Sequence, residues 1–141
     1  MAKVVLAFGS FDILHPGHLL YLERARRLGS KLIVVVARDE SIRMFKKREP
    51  VFGQNDRVSM LKALKVVDEA VVGNKLRKSS DRYNIIRKYK PSVIVFGYDQ
   101  KVNIPSVNDW LKSNGMRAKV VRISTKYKTS RYKSSKIAQL L

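Results

Sequence analysis

Short apolar runs rich in β-branched residues recur along the chain and limit what it can fold into. They occupy residues 4–8, 32–37, 70–72, 93–96 and 119–123. Most are apolar at successive positions, as in strands that are buried on both faces of a sheet. Residues 19–28, 55–64, 81–89 and 106–114, which lie between the runs, carry apolar side chains at helical spacing. This alternation predicts an α/β fold with a doubly wound, five-stranded parallel sheet.

Length and composition favour one domain, which we expect to span residues 1–141, because 45% hydrophobic residues suffice for one buried core. No apolar run approaches the roughly 18–20 residues that cross a bilayer, and the first residues lack a signal-peptide layout. The absence of cysteine excludes disulfides, thiolate zinc sites and cysteine nucleophiles. We therefore expect a cytoplasmic protein without a membrane partner.

The formal net charge of +19 is high for a chain of 141 residues. Such a field attracts phosphate-bearing partners, either nucleotides or nucleic acids. The charge is concentrated toward the end, since no acidic residue follows Asp109. Charge alone does not choose between these two classes of partner.

The turn between the first strand and the first helix carries the most informative motif. It contains both histidines of the protein, His15 and His18, on either side of Pro16 and Gly17. In a doubly wound sheet this turn lies at the carboxyl edge, where ligands bind. We expect free amides in the first helical turn to receive an anion, and the two imidazoles to stabilise charge on a phosphoryl group. A zinc site is a rival, but two histidines without cysteine make a poor one.

His15-Pro16-Gly17-His18 resembles the HxGH motif of the cytidylyltransferase-like nucleotidyltransferases. The resemblance covers nearly the whole chain and implies a Rossmann-like domain of the HUP, or nucleotidylyl transferase, type. It implies that the motif binds nucleotide phosphates and that His15 and His18 are catalytic. It also implies that the backbone of Ser10 and Phe11 borders the nucleotide.

Residues 44–57 resemble the mobile basic loop of that family and the helix that follows it. Their charge, with Pro50 and Gly53, predicts a loop over residues 44–54. The resemblance implies that a lysine of this loop, Lys46 or Lys47, reaches a phosphate, and Lys47 is assigned here as catalytic. It assigns Arg57 to nucleotide binding, whereas a structural ion pair is the alternative.

Three later segments complete the predicted nucleotide site. Asp99 follows the fourth strand, where the resemblance implies a contact with ribose or base, and Tyr127 is a further nucleotide-binding candidate. Residues 128–137 resemble the closing motif of the family, written RTEGISTT, although several positions differ. Ser134 and Ser135 match its hydroxyl positions, where they could cap a last helix and bind phosphate.

The resemblance is greatest to the archaeal FAD synthases, which transfer AMP from ATP to FMN, with the glycerol-3-phosphate cytidylyltransferases second. It implies ATP and FMN as substrates, a divalent cation such as Mg²⁺ held mainly by phosphates and water, and a possible homodimer. A basic nucleic-acid-binding domain without catalysis is the alternative from another class, but we expect no nucleic-acid partner, since no RNA-binding motif is present.

Overall fold

A computed structural model describes residues 3–97 and 100–124, except for the side chains of residues 79 and 80. Five parallel strands form one sheet in the order β3-β2-β1-β4-β5. Their bounds are Val4–Gly9 (β1), Lys31–Val36 (β2), Glu69–Val72 (β3), Val93–Gly97 (β4) and Lys119–Ile123 (β5). The predicted five-stranded parallel sheet is confirmed.

Helices cover both faces of the sheet. They are α1 (Pro16–Arg26), α2 (Asp39–Lys46), α3 (Gln54–Lys62), α4 (Asn84–Tyr89) and α5 (Ile104–Ser113), with a 3-10 helix at Ser79–Tyr83. One core layer joins α1 and α3 to the sheet through Leu22 and Leu61. The other joins α4 and α5 through Ile86 and Val107. Each layer buries one face of the central strands, which explains why their sequences are apolar at successive positions.

The prediction of a loop over residues 44–54 was wrong at its start, because α2 extends to Lys46. Only Ile42 of α2 is buried, and the helix has eight residues, so its apolar pattern is too short to reveal it in the sequence. The helix predicted for residues 81–89 begins as a 3-10 helix and becomes α-helical at Asn84. Within the described part of the chain, no helix combines the length and apolar content needed to cross a membrane.

α1 ends with Arg27 as its C-cap, and Gly29 follows on the way to β2. A Cβ at Gly29 would lie 2.4 Å from the carbonyl oxygen of Lys3. The glycine is therefore needed for close passage beside the chain that enters β1.

The strand order reverses between β1 and β4, and this point positions the site. The β1–β4 ladder pairs Val5 with Val93 and continues to Ala7 and Val95. Beyond it, the hydroxyl of Tyr21 in α1 lies 3.1 Å from the carbonyl oxygens of both Phe8 and Val95 and can donate to either. The ligand crevice of a doubly wound sheet is expected at this carboxyl edge.

Candidate active site

The two histidines converge at the start of α1, beside the crevice. His15 is the N-cap residue, with an extended backbone, and His18 lies in the first turn. Their imidazole rings are stacked, with centroids 3.8 Å apart and planes 24° from parallel. Both rings can therefore serve one ligand.

His15 caps its own helix with both its ring and its backbone. The Gly17 N–H donates to His15 Nδ1 over 3.1 Å, and the N–H groups of His18 and Leu19 donate to the His15 carbonyl oxygen. Our expectation of free first-turn amides was therefore wrong, because these amides already have acceptors. The capping bond instead fixes the tautomer, since an accepting Nδ1 leaves the proton of a neutral ring on Nε2.

His18 is held in the neutral form. Burial, which has the largest effect, the nearby His15 and the charge of Lys46 together lower its pKa to about 3, against the opposing effect of a hydrogen bond with the Ile13 backbone. The edge of the Phe11 ring packs against the His18 ring, with centroids 5.3 Å apart. His18 is therefore an oriented, uncharged imidazole at neutral pH.

Phe11 has a backbone that non-glycine residues rarely adopt, with φ of 51°. Its ring is buried over Gly9, where a Cβ would lie 2.5 Å from Phe11 Cε2. Gly9 thus leaves room for the ring that orients His18. The turn after β1 takes its left-handed backbone at Phe11 and not at Gly9.

Arg57 is a buried residue that holds the backbone around the site. Its side chain is 0% exposed. Its Nε donates to Phe52 O, its Nη1 to Ser10 O and Ala37 O, and its Nη2 to the Asp39 carboxylate. Four of its five N–H groups are thus engaged within the protein. The guanidinium thus fixes the chain after β1 and β2, in the structural role that was the alternative, and the nucleotide contact of Arg57 stays a prediction.

Residues 39–53, which we call the basic arm, contain α2 and the loop that leads to α3. The carboxylate of Asp12 is fully buried and anchors this loop. It accepts hydrogen bonds from Arg48 Nη1 at 2.6 Å, from Val51 N–H and from Phe52 N–H. Burial alone would raise the pKa of Asp12, but these bonds outweigh burial and hold the pKa below 3.8. Sequence reasoning missed this anchor.

The structure distinguishes the two lysines of the basic arm. Lys46 ends α2 and lies close enough for its charge to act on His18. Lys47 is exposed and caps the helix with a left-handed backbone, with φ of 53°. The geometry thus connects Lys46 with the histidines, and the catalytic role assigned to Lys47 stays a prediction.

Arg122 holds the loop after β4 at the same edge of the sheet. Its Nη1 donates to Gly97 O and Gln100 O, and its Nη2 donates to Val102 O at 2.6 Å. The Gln100 side chain also accepts a hydrogen bond from the Gly97 N–H. This clasp too was not predicted. Its signal was a lone arginine within the apolar β5 run.

The other predicted nucleotide-binding residues are distributed as follows. Ser10 is half-buried, and its carbonyl accepts from Arg57; Pro16 begins α1 and is exposed, while Gly17 is buried. Asp99, Tyr127, Ser134 and Ser135 lie outside the described residues. Within the described ranges, no cluster of three or more His, Cys, Asp or Glu side chains could hold a metal ion.

A paired-imidazole site at the first strand–helix turn of a parallel sheet defines a class of protein. The chain belongs to the cytidylyltransferase-like family, whose model matches residues 6–140, and it is a nucleotidyltransferase.

Curated relatives narrow the class. The chain is 42% identical over 135 residues to the FAD synthase of Thermococcus onnurineus strain NA1, an alignment that covers 96% of this chain and 88% of the relative. It is 47% identical over 133 residues to the FAD synthase of Methanohalobium evestigatum, and this alignment covers 94% of this chain and 85% of the relative.

Solved structures agree on the fold. The lipopolysaccharide core biosynthesis protein of Thermoplasma volcanium GSS1 superimposes with a TM-score of 0.82 at 38% identity, over 89% of this chain and 98% of that one. The pantoate-beta-alanine ligase of Francisella tularensis superimposes with a TM-score of 0.63 at 14% identity, over 87% of this chain and 59% of that one. At this identity the match supports the fold alone.

Proposed function

We propose that the protein is an FAD synthase, which transfers AMP from ATP to FMN and releases pyrophosphate. The observation that carries the proposal is the stacked pair His15 and His18 at the strand-order reversal, in a chain whose relatives over most of its length are named FAD synthase. Position and electrostatics can provide the catalysis, so no protein nucleophile is required.

The reaction is a direct displacement. An oxygen of the FMN phosphate attacks the α-phosphorus of ATP and forms a new P–O bond. The bond from that phosphorus to the oxygen bridging to the β-phosphate breaks, and its electron pair leaves with pyrophosphate. Negative charge grows on the oxygens around the α-phosphorus, and this charge is what the protein must stabilise.

The histidines contribute in different ways. In the neutral tautomer, His15 presents Nε2–H to the phosphate, because Nδ1 is held by Gly17. His18 is neutral at pH 7, since its pKa is about 3, and it gives a hydrogen bond without delivering a proton. Lys46 adds positive charge close to both groups, and the N-terminal end of the α1 dipole adds more.

The rest of the nucleotide is assigned to the residues predicted from the sequence. The backbone of Ser10 and Phe11 borders the nucleotide, Asp99 holds the ribose or base, Tyr127 is a further contact, and Ser134 and Ser135 bind phosphate. Mg²⁺ belongs to the proposal as a shield for triphosphate charge, coordinated by phosphates and water. We further propose that the enzyme works in the cytoplasm and can form a homodimer, which cell fractionation and size-exclusion chromatography test.

The decisive assay offers ATP or CTP in turn with FMN or glycerol 3-phosphate and measures pyrophosphate release. FAD formed from ATP and FMN supports the proposal. CDP-glycerol formed from CTP and glycerol 3-phosphate would make the protein a glycerol-3-phosphate cytidylyltransferase, which the family match also allows. Binding of an oligonucleotide without turnover of any pair would reject an enzymatic function.

His18→Ala tests the chemistry. Loss of one preorganised donor is expected to lower kcat by about 10²–10³-fold. Lys112→Ala is the control, since Lys112 is exposed and lies beside Lys119, the first residue of β5, at the edge of the sheet opposite the site. Thermal unfolding shows whether the variants stay folded. A folded His18→Ala enzyme with an unchanged kcat would remove His18 from the mechanism.

A further inference from the structure

Exposed apolar side chains are concentrated on the basic arm. Six large apolar side chains are exposed among the described residues, and four of them lie on the arm: Met44 (61%), Phe45 (54%), Val51 (37%) and Phe52 (38%). Scattered exposed apolar residues are ordinary, but a cluster beside a reaction centre indicates a binding surface.

The arm is fixed to the active-site turn near its far end and closed onto α3 at its base. Asp12, which holds the N–H groups of Val51 and Phe52, is only three residues before His15. At the base of the arm, the Asp39 N–H donates to the Gln54 side chain over 2.9 Å. Phe45 immediately precedes Lys46, whose charge reaches His18. The apolar side chains of the arm are therefore carried by the segment that also carries the lysine acting on His18.

Phe45 is also supported from one side. The guanidinium of Arg82 lies 5.8 Å from the centroid of the Phe45 ring and 5.5 Å from that of Tyr83. Such cation–π contacts orient a ring. Because just over half of Phe45 remains exposed, the ring keeps surface for a second stacking partner.

The arm thus places an apolar, aromatic surface beside several cations. A ligand that matches both features has a flat apolar ring at one end and a phosphate at the other. A second copy of the chain fits less well, because pairing two such arms would bring Lys46, Lys47 and Arg82 close to their own counterparts.

We propose that Phe45 and Phe52, flanked by Met44 and Val51, form the platform for the isoalloxazine ring of the acceptor FMN. This inference rests on the proposed function. It assigns acceptor specificity to the arm, while the phosphate of FMN is held by the lysines and histidines. Stacking on the two rings would then distinguish FMN from small acceptors such as glycerol 3-phosphate.

Phe45→Ala and Phe52→Ala, singly and together, test the platform, and Leu28→Ala is the matched control because Leu28 is exposed but lies outside the arm. Each loss of a stacking ring is expected to raise KM for FMN about tenfold. The KM for ATP should stay unchanged. Riboflavin, which has the ring without the phosphate, should inhibit the wild type competitively with FMN and inhibit the double variant far less.

An FMN KM within twofold of wild type in a folded double variant would overturn the platform, as would an equal rise in both KM values. Loss of a dimer in size-exclusion chromatography with an unchanged FMN KM would assign the surface to a second copy. If the double variant does not fold, Phe45→Leu with Phe52→Leu keeps apolar area but removes the rings. Failure of the proposed function is distinguishable, because then the wild type itself forms no FAD.

Discussion

Replacing Arg57 by methionine tests whether this arginine braces the site or binds nucleotide. The substitution leaves the carbonyls of Ser10, Ala37 and Phe52 and the carboxylate of Asp39 without their donor. One buried group left unsatisfied costs about 1–3 kcal/mol, and removing one partner of a buried ion pair costs about 3–5 kcal/mol. These costs overlap, and water can reach Asp39, which is 26% exposed.

We therefore expect Arg57→Met to lower the free energy of unfolding by about 3–5 kcal/mol, a large part of the roughly 5–15 kcal/mol of a typical domain. Urea denaturation measures this loss. Arg57→Lys keeps the charge but not the planar fork of donors, so its loss should be smaller. Arg43→Met is the control, because its pair with Glu49 is exposed and its removal should change stability little.

The variant distinguishes two roles for the same residue. A bracing role predicts that stability and kcat fall together, because the chain after β1 and β2 loses its shared support. A nucleotide-binding role predicts a raised KM for ATP at wild-type stability. Finding Arg57→Met as stable as the wild type, with only the KM for ATP raised, would refute the structural argument.

Three further predictions concern the site's supports. Gly9→Ala places a Cβ 2.5 Å from the Phe11 ring, so it should destabilise the fold by about 1–3 kcal/mol and lower kcat. Gly53→Ala is the control, because its Cβ meets only an ordinary contact at 3.8 Å. Urea unfolding and initial rates compare the two variants. Lys46→Met should lower kcat more than Lys47→Gly, which relieves a left-handed backbone and should stabilise the fold by up to about 1 kcal/mol. The reverse order of rates would restore Lys47 as the catalytic lysine. Asp12→Asn should have a lower free energy of unfolding than the wild type at pH 7. This difference should narrow below about pH 4, because a carboxylate with a lowered pKa stabilises the fold only while it is ionised. A gap that does not change with pH would contradict this.

The sheet could be predicted from the sequence because buried parallel strands leave a local signal. Val93 to Phe96 and Leu32 to Val36 are apolar at every position, so neither face can lie against solvent. The position of the histidines followed from that topology, since a strand–helix turn of such a sheet must lie at its carboxyl edge.

The supports of the site could not be predicted, because they depend on contacts between distant residues. Asp12 meets Arg48 across 36 positions, and Arg57 meets Ser10 across 47. The residues near Asp12 in the sequence do not predict that three donors converge on its carboxylate. The first-turn amides were misjudged for a related reason, because the Gly17 amide is occupied by a rotamer of His15, which no spacing rule predicts, while the His18 and Leu19 amides donate to the His15 carbonyl.

The net positive charge of the sequence does not distinguish arginine from lysine, but the two residue types have different roles in the structure. Arg57 uses its planar fork of donors to join carbonyls of separate chain segments, and Arg122 uses the same fork to hold three carbonyls of the single segment that ends β4 and follows it. Parallel strands end there with unpaired carbonyls, and a guanidinium can satisfy several at once, which a lysine amine cannot do with the same geometry. The lysines of the basic arm are exposed and keep their flexible stems. Arginine therefore fixes the edge of the sheet, and the proposed function assigns to lysine the charge that meets the ligand.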